Sequence, residues 1–177
     1  MTDSPAHPST PRLPPTVVMG VQGSGKSTVG RLLADVIGGR FIDGDDLHSS
    51  EAKAKMAAGH PLTDADRLPW LTRVAETMNA ALDQGPVVVA CSALRRSYRD
   101  LMRSIVPGLS FAELFGDQDL VAGRLSQRNH EYMPASLLDS QFATLEPLSA
   151  TEAGVRVPLT MTPDDIVGFI TERNGRR

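Results

Sequence analysis

A single cysteine, Cys91, cannot close an internal disulfide, and one thiol in 177 residues suits a reducing cytosol, so a cytoplasmic protein is expected. Basic residues never run longer than two and the formal net charge is -3, which argues against nucleic acid as the main partner. No apolar stretch approaches the length that spans a bilayer, so no membrane-embedded role is expected. The guanine-recognition pattern Asn-Lys-x-Asp is absent, which removes the GTPase switches. The third apolar strand ends in "ACSAL" rather than in a pair of acids, so the ATPase motors, which hydrolyse with water, are also a poor match.

The start is equally telling. "MTDSPAHPSTPRLPP" carries five prolines, cannot build a helix or a packed strand, and lacks the apolar core of a secretory signal. Residues 1–15 are read as a mobile tail and 16–177 as one domain, long enough for a real core.

From residue 16, short β-branched runs alternate with helical patterns. "TVVMGV", "RFID", "PVVVAC", "SFAELF" and "VRVPLTM" predict five strands. The third is the most uniformly apolar and is expected at the centre of the sheet. Pro158 marks the fifth as an edge strand or a weak one. Between them, "KSTVGRLLADVI" places Val29, Leu32, Leu33, Val36 and Ile37 at helical spacing. Residues 47–84 form a polar helical insertion in which Asp66 is the expected N-cap of a long helix, with Pro69 in its first turn. Strand–helix alternation implies parallel pairing and right-handed crossovers, hence a three-layer α/β sandwich that binds ligands beyond the carboxyl ends of its strands.

That rule directs attention to the residues following each strand. Gly20, Val21, Gln22, Gly23, Ser24, Gly25, Lys26 and Ser27, followed by Thr28, match the phosphate-binding pattern G-x-x-x-x-G-K-[ST] in full, after a strand and opening a helix. Inward-turned amides and the helix N-terminus hold phosphate oxygens. Lys26 is expected to reach the β- and γ-phosphates of a nucleoside triphosphate, and the Ser27 hydroxyl to coordinate Mg²⁺. "DGDDLH" follows the second strand. Asp45 is the expected acceptor-facing carboxylate that orients a hydroxyl and takes its proton, with Asp43 on the metal side. His48 reads either as a substrate ligand or as a packing histidine. Lys55 and Arg67 in the insertion, and Arg95, Arg96 and Arg99 after the third strand, would suit an anionic acceptor such as a carboxylate. Cys91 and Trp70 read as core. Arg124 and Arg128, one helical turn apart before "NHEYMP", suggest a lid over 126–145 that excludes water and neutralises the transferred group.

With these segments in place, the chain closely resembles the gluconokinase family of small P-loop kinases, related to shikimate and nucleoside monophosphate kinases. The likeness runs over about 17–147 and rests on "MGVQGSGKST", "FIDGDDLH", "KMAAGHPLTDADRLPWL", "CSALRRSYRDLMR" and "MPASLLDSQFATLEP". It implies a P-loop kinase fold with a five-stranded parallel sheet in the order 2-3-1-4-5. It also implies ATP-dependent phosphorylation of D-gluconate at its terminal hydroxyl, giving 6-phospho-D-gluconate and ADP. By the same likeness Arg124 lies against adenine, Arg128 reaches the phosphates, residues 160–163 border the base, and a homodimer is usual. Two departures stand out: Ala52 replaces a common asparagine, and "RNHEYMP" replaces the usual Arg-x-Gly-His-Phe-Met-Pro, displacing His130 by one place. The rival readings are a kinase for another small acid, such as shikimate or a different aldonate, and a nucleotide-binding regulatory protein without chemistry.

Overall fold

The computed structural model describes residues 12–127 and 135–174. Five strands, β1 (Thr16–Met19), β2 (Arg40–Asp43), β3 (Val87–Ala90), β4 (Ser110–Phe115) and β5 (Gly154–Pro158), alternate with seven helices. These are α1 (Lys26–Val36), α2 (Ser50–Ala57), α3 (Asp64–Ala81), α4 (Arg96–Ile105), α5 (Gln118–Ser126), α6 (Ala135–Thr144) and α7 (Pro163–Asn174). The sheet order is β2-β3-β1-β4-β5 and every pairing is parallel, as the family resemblance implies. β1 takes the centre, not β3. Continuous apolarity reports burial on both faces, which holds for every interior strand, so it cannot rank them.

Alternate side chains along the strands build two cores. Val17, Met19, Val87, Val89 and Phe111 face α3 and α4, where they meet Leu71, Val74, Met78 and Met102. Val18, Val88, Ala112 and Leu114 face the other way, onto α1 and α7. Of the expected α1 stripe, Val29, Leu33 and Ile37 are buried, whereas Val36 is 49% exposed on the flank of a face narrower than its spacing suggests. β5 lies at the edge, as Pro158 requires. There the fully buried Glu113 carboxylate accepts from Arg156 on β5 at 2.8 Å and from the Leu148 amide at 2.7 Å.

Two boundaries differ from expectation. Thr63, not Asp66, caps α3: the Thr63 hydroxyl accepts from the Asp66 amide, and the Asp66 carboxylate accepts from the Thr63 amide at 2.8 Å. This reciprocal pair is a capping box, with Asp66 at the third helical position. The helix therefore starts earlier, and Pro69 falls in its second turn rather than its first. Within the expected tail, residues 1–11 lie outside the described residues, and the Pro15 carbonyl accepts from the Ser110 amide at 2.9 Å. Among the described residues no helix is long and apolar enough to cross a membrane.

Candidate active site

β1 delivers the chain into the glycine-rich loop and α1 begins at Lys26. Gly25, which caps α1, has φ +91°, a left-handed conformation that other residues resist. Gly23 has φ +80°, and a Cβ there would sit 2.6 Å from the Leu125 side chain of α5. The loop is thus wedged against α5 as well as coiled over α1. Its Lys26 ammonium donates to the Val21 carbonyl at 3.0 Å, arching back across the loop.

β2 ends at Asp43, and residues 44–47 form a single 3-10 turn capped by that aspartate. The two oxygens of Asp43 have separate duties. Oδ2 accepts from the Ser27 hydroxyl at 2.8 Å, and Oδ1 accepts from the Asp45 amide at 3.1 Å. Asp43 is thereby tied to the phosphate loop, whereas the Asp45 side chain projects outward with 71% of it exposed. α3 fixes this turn from below: Trp70 Nε1 donates to the Gly44 carbonyl at 2.8 Å and Arg73 to the Leu47 carbonyl at 2.7 Å.

Two cavities of about 440 Å³ each open on this arrangement. One is a polar groove along the loop, lined by Gly23, Gly25, Lys26, Ser27, Thr28, Arg31 and Asp43. The other is a chamber between the loop, the insertion and α6, lined by His48, Lys53, Met56, Leu62, Arg67, Trp70, Ser92, Leu137 and Gln141, among others. Gln22, Lys26 and Asp45 line both. A phosphoryl group held in the groove therefore faces whatever fills the chamber, with a carboxylate and an ammonium at the junction.

The chamber wall is cationic and half apolar. The His48 ring stacks on Trp70 with centroids 4.0 Å apart, and its Nε2 lies 3.9 Å from Asp45 Oδ1. Burial lowers the imidazole pKa below its ordinary value, against the opposing pull of Asp45, so His48 is neutral at pH 7. Its Nδ1 is buried with no hydrogen-bond partner among the described residues. Trp70, expected to be packing alone, forms chamber wall as well. Arg67 Nη1 lies 3.3 Å from the Tyr98 hydroxyl, which itself donates to Asp64.

Four expected acceptor ligands stand elsewhere. Lys55 is paired with Asp66 at 2.7 Å and does not line the chamber. Lys53, two residues away on α2 and so on nearly the opposite side of the helix, lines it instead. Arg95, half-buried, pairs with Asp64 at 3.1 Å and does not line the chamber. Arg99 is fully buried: its Nε and Nη2 donate to Glu152 at 2.7 and 2.8 Å, and its Nη1 to the carbonyls of Ala93 and Glu146. Arg96 likewise belongs to this cluster, with Asp100 at 3.4 Å. Arg99 nevertheless serves the site indirectly, because Ala93 has φ +45° in the loop that carries Ser92 and Leu94 into the chamber. Cys91 is core, its thiol pushed up to about 12 by burial first and by the nearby Asp45 charge second.

On the other side of the loop, an Arg124 guanidinium nitrogen donates to the Leu159 carbonyl, immediately before residues 160–163. The two segments expected to border the base are therefore neighbours. Arg128 and the "NHEYMP" that follows it lie outside the described residues. Sequence reasoning missed Lys53, Ser92 and Gln141. None belongs to a local pattern; each is recognised only once the fold brings it to the chamber.

Comparison with known proteins places this geometry. The shikimate kinase family model matches residues 22–109. A probable gluconokinase of Mus musculus is 43% identical over 175 residues, covering 88% of this chain and 95% of the relative. The thermosensitive gluconokinase of Escherichia coli strain K12 is 39% identical over 140 residues, covering 78% and 75%. The crystal structure of a gluconokinase from Sinorhizobium meliloti 1021 superposes with a TM-score of 0.85 at 43% identity, covering 94% of this chain and 93% of that one. With a nucleotide cradle opening on a cationic chamber and relatives 39–43% identical matched over three quarters or more of their length, the chain belongs to the gluconokinase family.

Proposed function

We propose that this enzyme transfers the γ-phosphoryl group of ATP to the terminal hydroxyl of D-gluconate, giving 6-phospho-D-gluconate and ADP. One observation carries the reading: the phosphate groove and the cationic chamber meet at Lys26 and Asp45. The chamber has the size of an ordinary small-molecule site, roughly 300–1,000 Å³. Its polar wall suits a polyol, and Lys53 and Arg67 suit the acceptor carboxylate.

In this reading the Asp45 carboxylate orients the acceptor hydroxyl and takes its proton as the new oxygen–phosphorus bond forms. The bond from phosphorus to the departing ADP oxygen breaks in line, and Lys26 offsets the charge that develops there. His48, neutral and stacked on Trp70, can donate or accept a hydrogen bond to a sugar hydroxyl. Arg124 and residues 160–163 form the base side, and the role that the family resemblance implies for Arg128 is contact with the phosphates.

Mg²⁺ fits the donors present. A serine hydroxyl and a carboxylate only 2.8 Å apart are hard oxygen ligands, and the described residues hold no cluster of three or more acids, histidines or cysteines that would form a full cage. Mg²⁺ favours such partial sites, completed by water and substrate phosphates. Ser27 and Asp43 would hold it, and it would supply charge neutralisation on the phosphates. A cytoplasmic location belongs to the same reading, since both substrates are small soluble anions.

The test is ADP release measured across D-gluconate, other aldonates and shikimate. The expected result is a kcat/KM for D-gluconate at least tenfold above every other acceptor. Equal rates on all, or a preference for shikimate, would overturn the assignment, and nucleotide binding without turnover on any acceptor would favour a regulatory protein.

A further inference from the structure

The phosphate loop is held from an unexpected quarter. The amide of Gln22, at the third place of the loop, donates to Gln141 Oε1 at 2.7 Å across 119 residues of sequence. Gln141 belongs to α6, which is itself tied to α5 through a hydrogen bond from Gln118 to Asp139. α5 in turn presses Leu125 against Gly23. The acceptor edge of the cradle is therefore braced by the two helices that flank residues 128–134.

The bond fixes which way the Gln141 carboxamide faces. An amide N–H needs an oxygen, so Oε1 points at the loop and Nε2, with two donors, is the other end. Gln141 lines the chamber and not the phosphate groove, as does its neighbour Ser140. We propose that Gln141 is a specificity-determining residue: its oxygen holds the phosphate loop in register while its NH₂ group donates to a hydroxyl oxygen of the polyol acceptor. One side chain then links occupancy of the chamber to the loop that presents the phosphoryl group. This rests on the assignment of a sugar acid to the chamber.

Gln141→Met keeps the length of the side chain and removes both polar ends, while Gln141→Glu keeps an oxygen for the Gln22 amide and removes the NH₂ donors. Both variants are expected to raise the KM for gluconate about fivefold to tenfold, the worth of one neutral hydrogen bond. The affinity for a non-hydrolysable ATP analogue in Gln141→Met should change less than that. Gluconates with a single hydroxyl replaced by hydrogen supply a readout that a merely structural role would not move. For one of them the Gln141→Glu penalty should vanish, because the partner oxygen is already gone while the bond to the Gln22 amide is kept. A penalty identical across every deoxy acceptor, a gluconate KM unchanged in both variants, or a loss confined to nucleotide affinity would each overturn the proposal. Failure of the substrate assignment is separable, since it would show in the unmodified enzyme as no turnover of gluconate.

Discussion

The two halves of the active site are built by opposite means. The phosphate side is one continuous stretch, 20–28, whose working groups are backbone amides set by glycine conformations. The acceptor side is gathered from β2, α2, α3, the loop after β3 and α6, and its working groups are side chains with freedom to point elsewhere. A contiguous backbone device keeps its chemistry wherever the motif occurs. A scattered side-chain device depends on which carboxylate claims each cation, and here Asp66, Asp64 and Glu152 claim Lys55, Arg95 and Arg99.

Substitutions at the junction of the two halves should have the largest effects. Lys26→Ala is expected to lower kcat by about 10³-fold or more, as loss of a charge-stabilising donor does. Asp45→Asn should lower kcat by about 10²- to 10⁴-fold, the range of a general base. Fluorescent nucleotide titration should find ATP binding in the Asp45 variant close to the unmodified enzyme, since Asp43 is the carboxylate that holds the Ser27 hydroxyl of the loop. Normal turnover of that variant would remove Asp45 from its role.

The acceptor half is sharpened by pairing two cations. Arg67→Ala should raise the gluconate KM by about 10-fold or more, since a charge-assisted bond is worth roughly 1.5–3 kcal/mol. Lys55→Ala should raise it far less, because the Lys55 ammonium is held by Asp66 outside the chamber. Equal penalties from steady-state kinetics would mean that the chamber extends to Lys55.

A smaller and purely structural effect concerns the Arg99–Glu152 pair. Burial alone would raise the Glu152 carboxyl, but the Arg99 hydrogen bonds, the Ser149 amide and Arg103 together outweigh it and hold the pKa at about 2. A depressed carboxyl contributes stability above its unfolded value near 4.5, and that contribution is lost as pH falls through about 2. Glu152→Gln should therefore cost about 3 kcal/mol at neutral pH, with the deficit narrowing between pH 4.5 and 2 in urea titrations. A deficit that stays constant across that window would contradict the assignment.

The same contrast explains what could be read in advance. The strands, the cradle and the acids after β2 announce themselves through local pattern and spacing. The phase of α2 does not, so Lys55 is expected where the fold places Lys53. The capping box at Thr63 is legible in principle, since Thr-x-x-Asp precedes an apolar stripe, but an aspartate is itself a common N-cap and masks the threonine three places earlier. Gln141 gave no signal, because its partner is an amide 119 residues away.

A crystal structure with a non-hydrolysable ATP analogue and D-gluconate bound together tests the central claim most directly. The account predicts the triphosphate along residues 20–28 and the gluconate in the chamber, its terminal hydroxyl within hydrogen-bond reach of Asp45 and its carboxylate toward Lys53 and Arg67. Gluconate bound with its carboxylate at Asp45, or the Asp45 side chain turned away from the terminal phosphate, would contradict it.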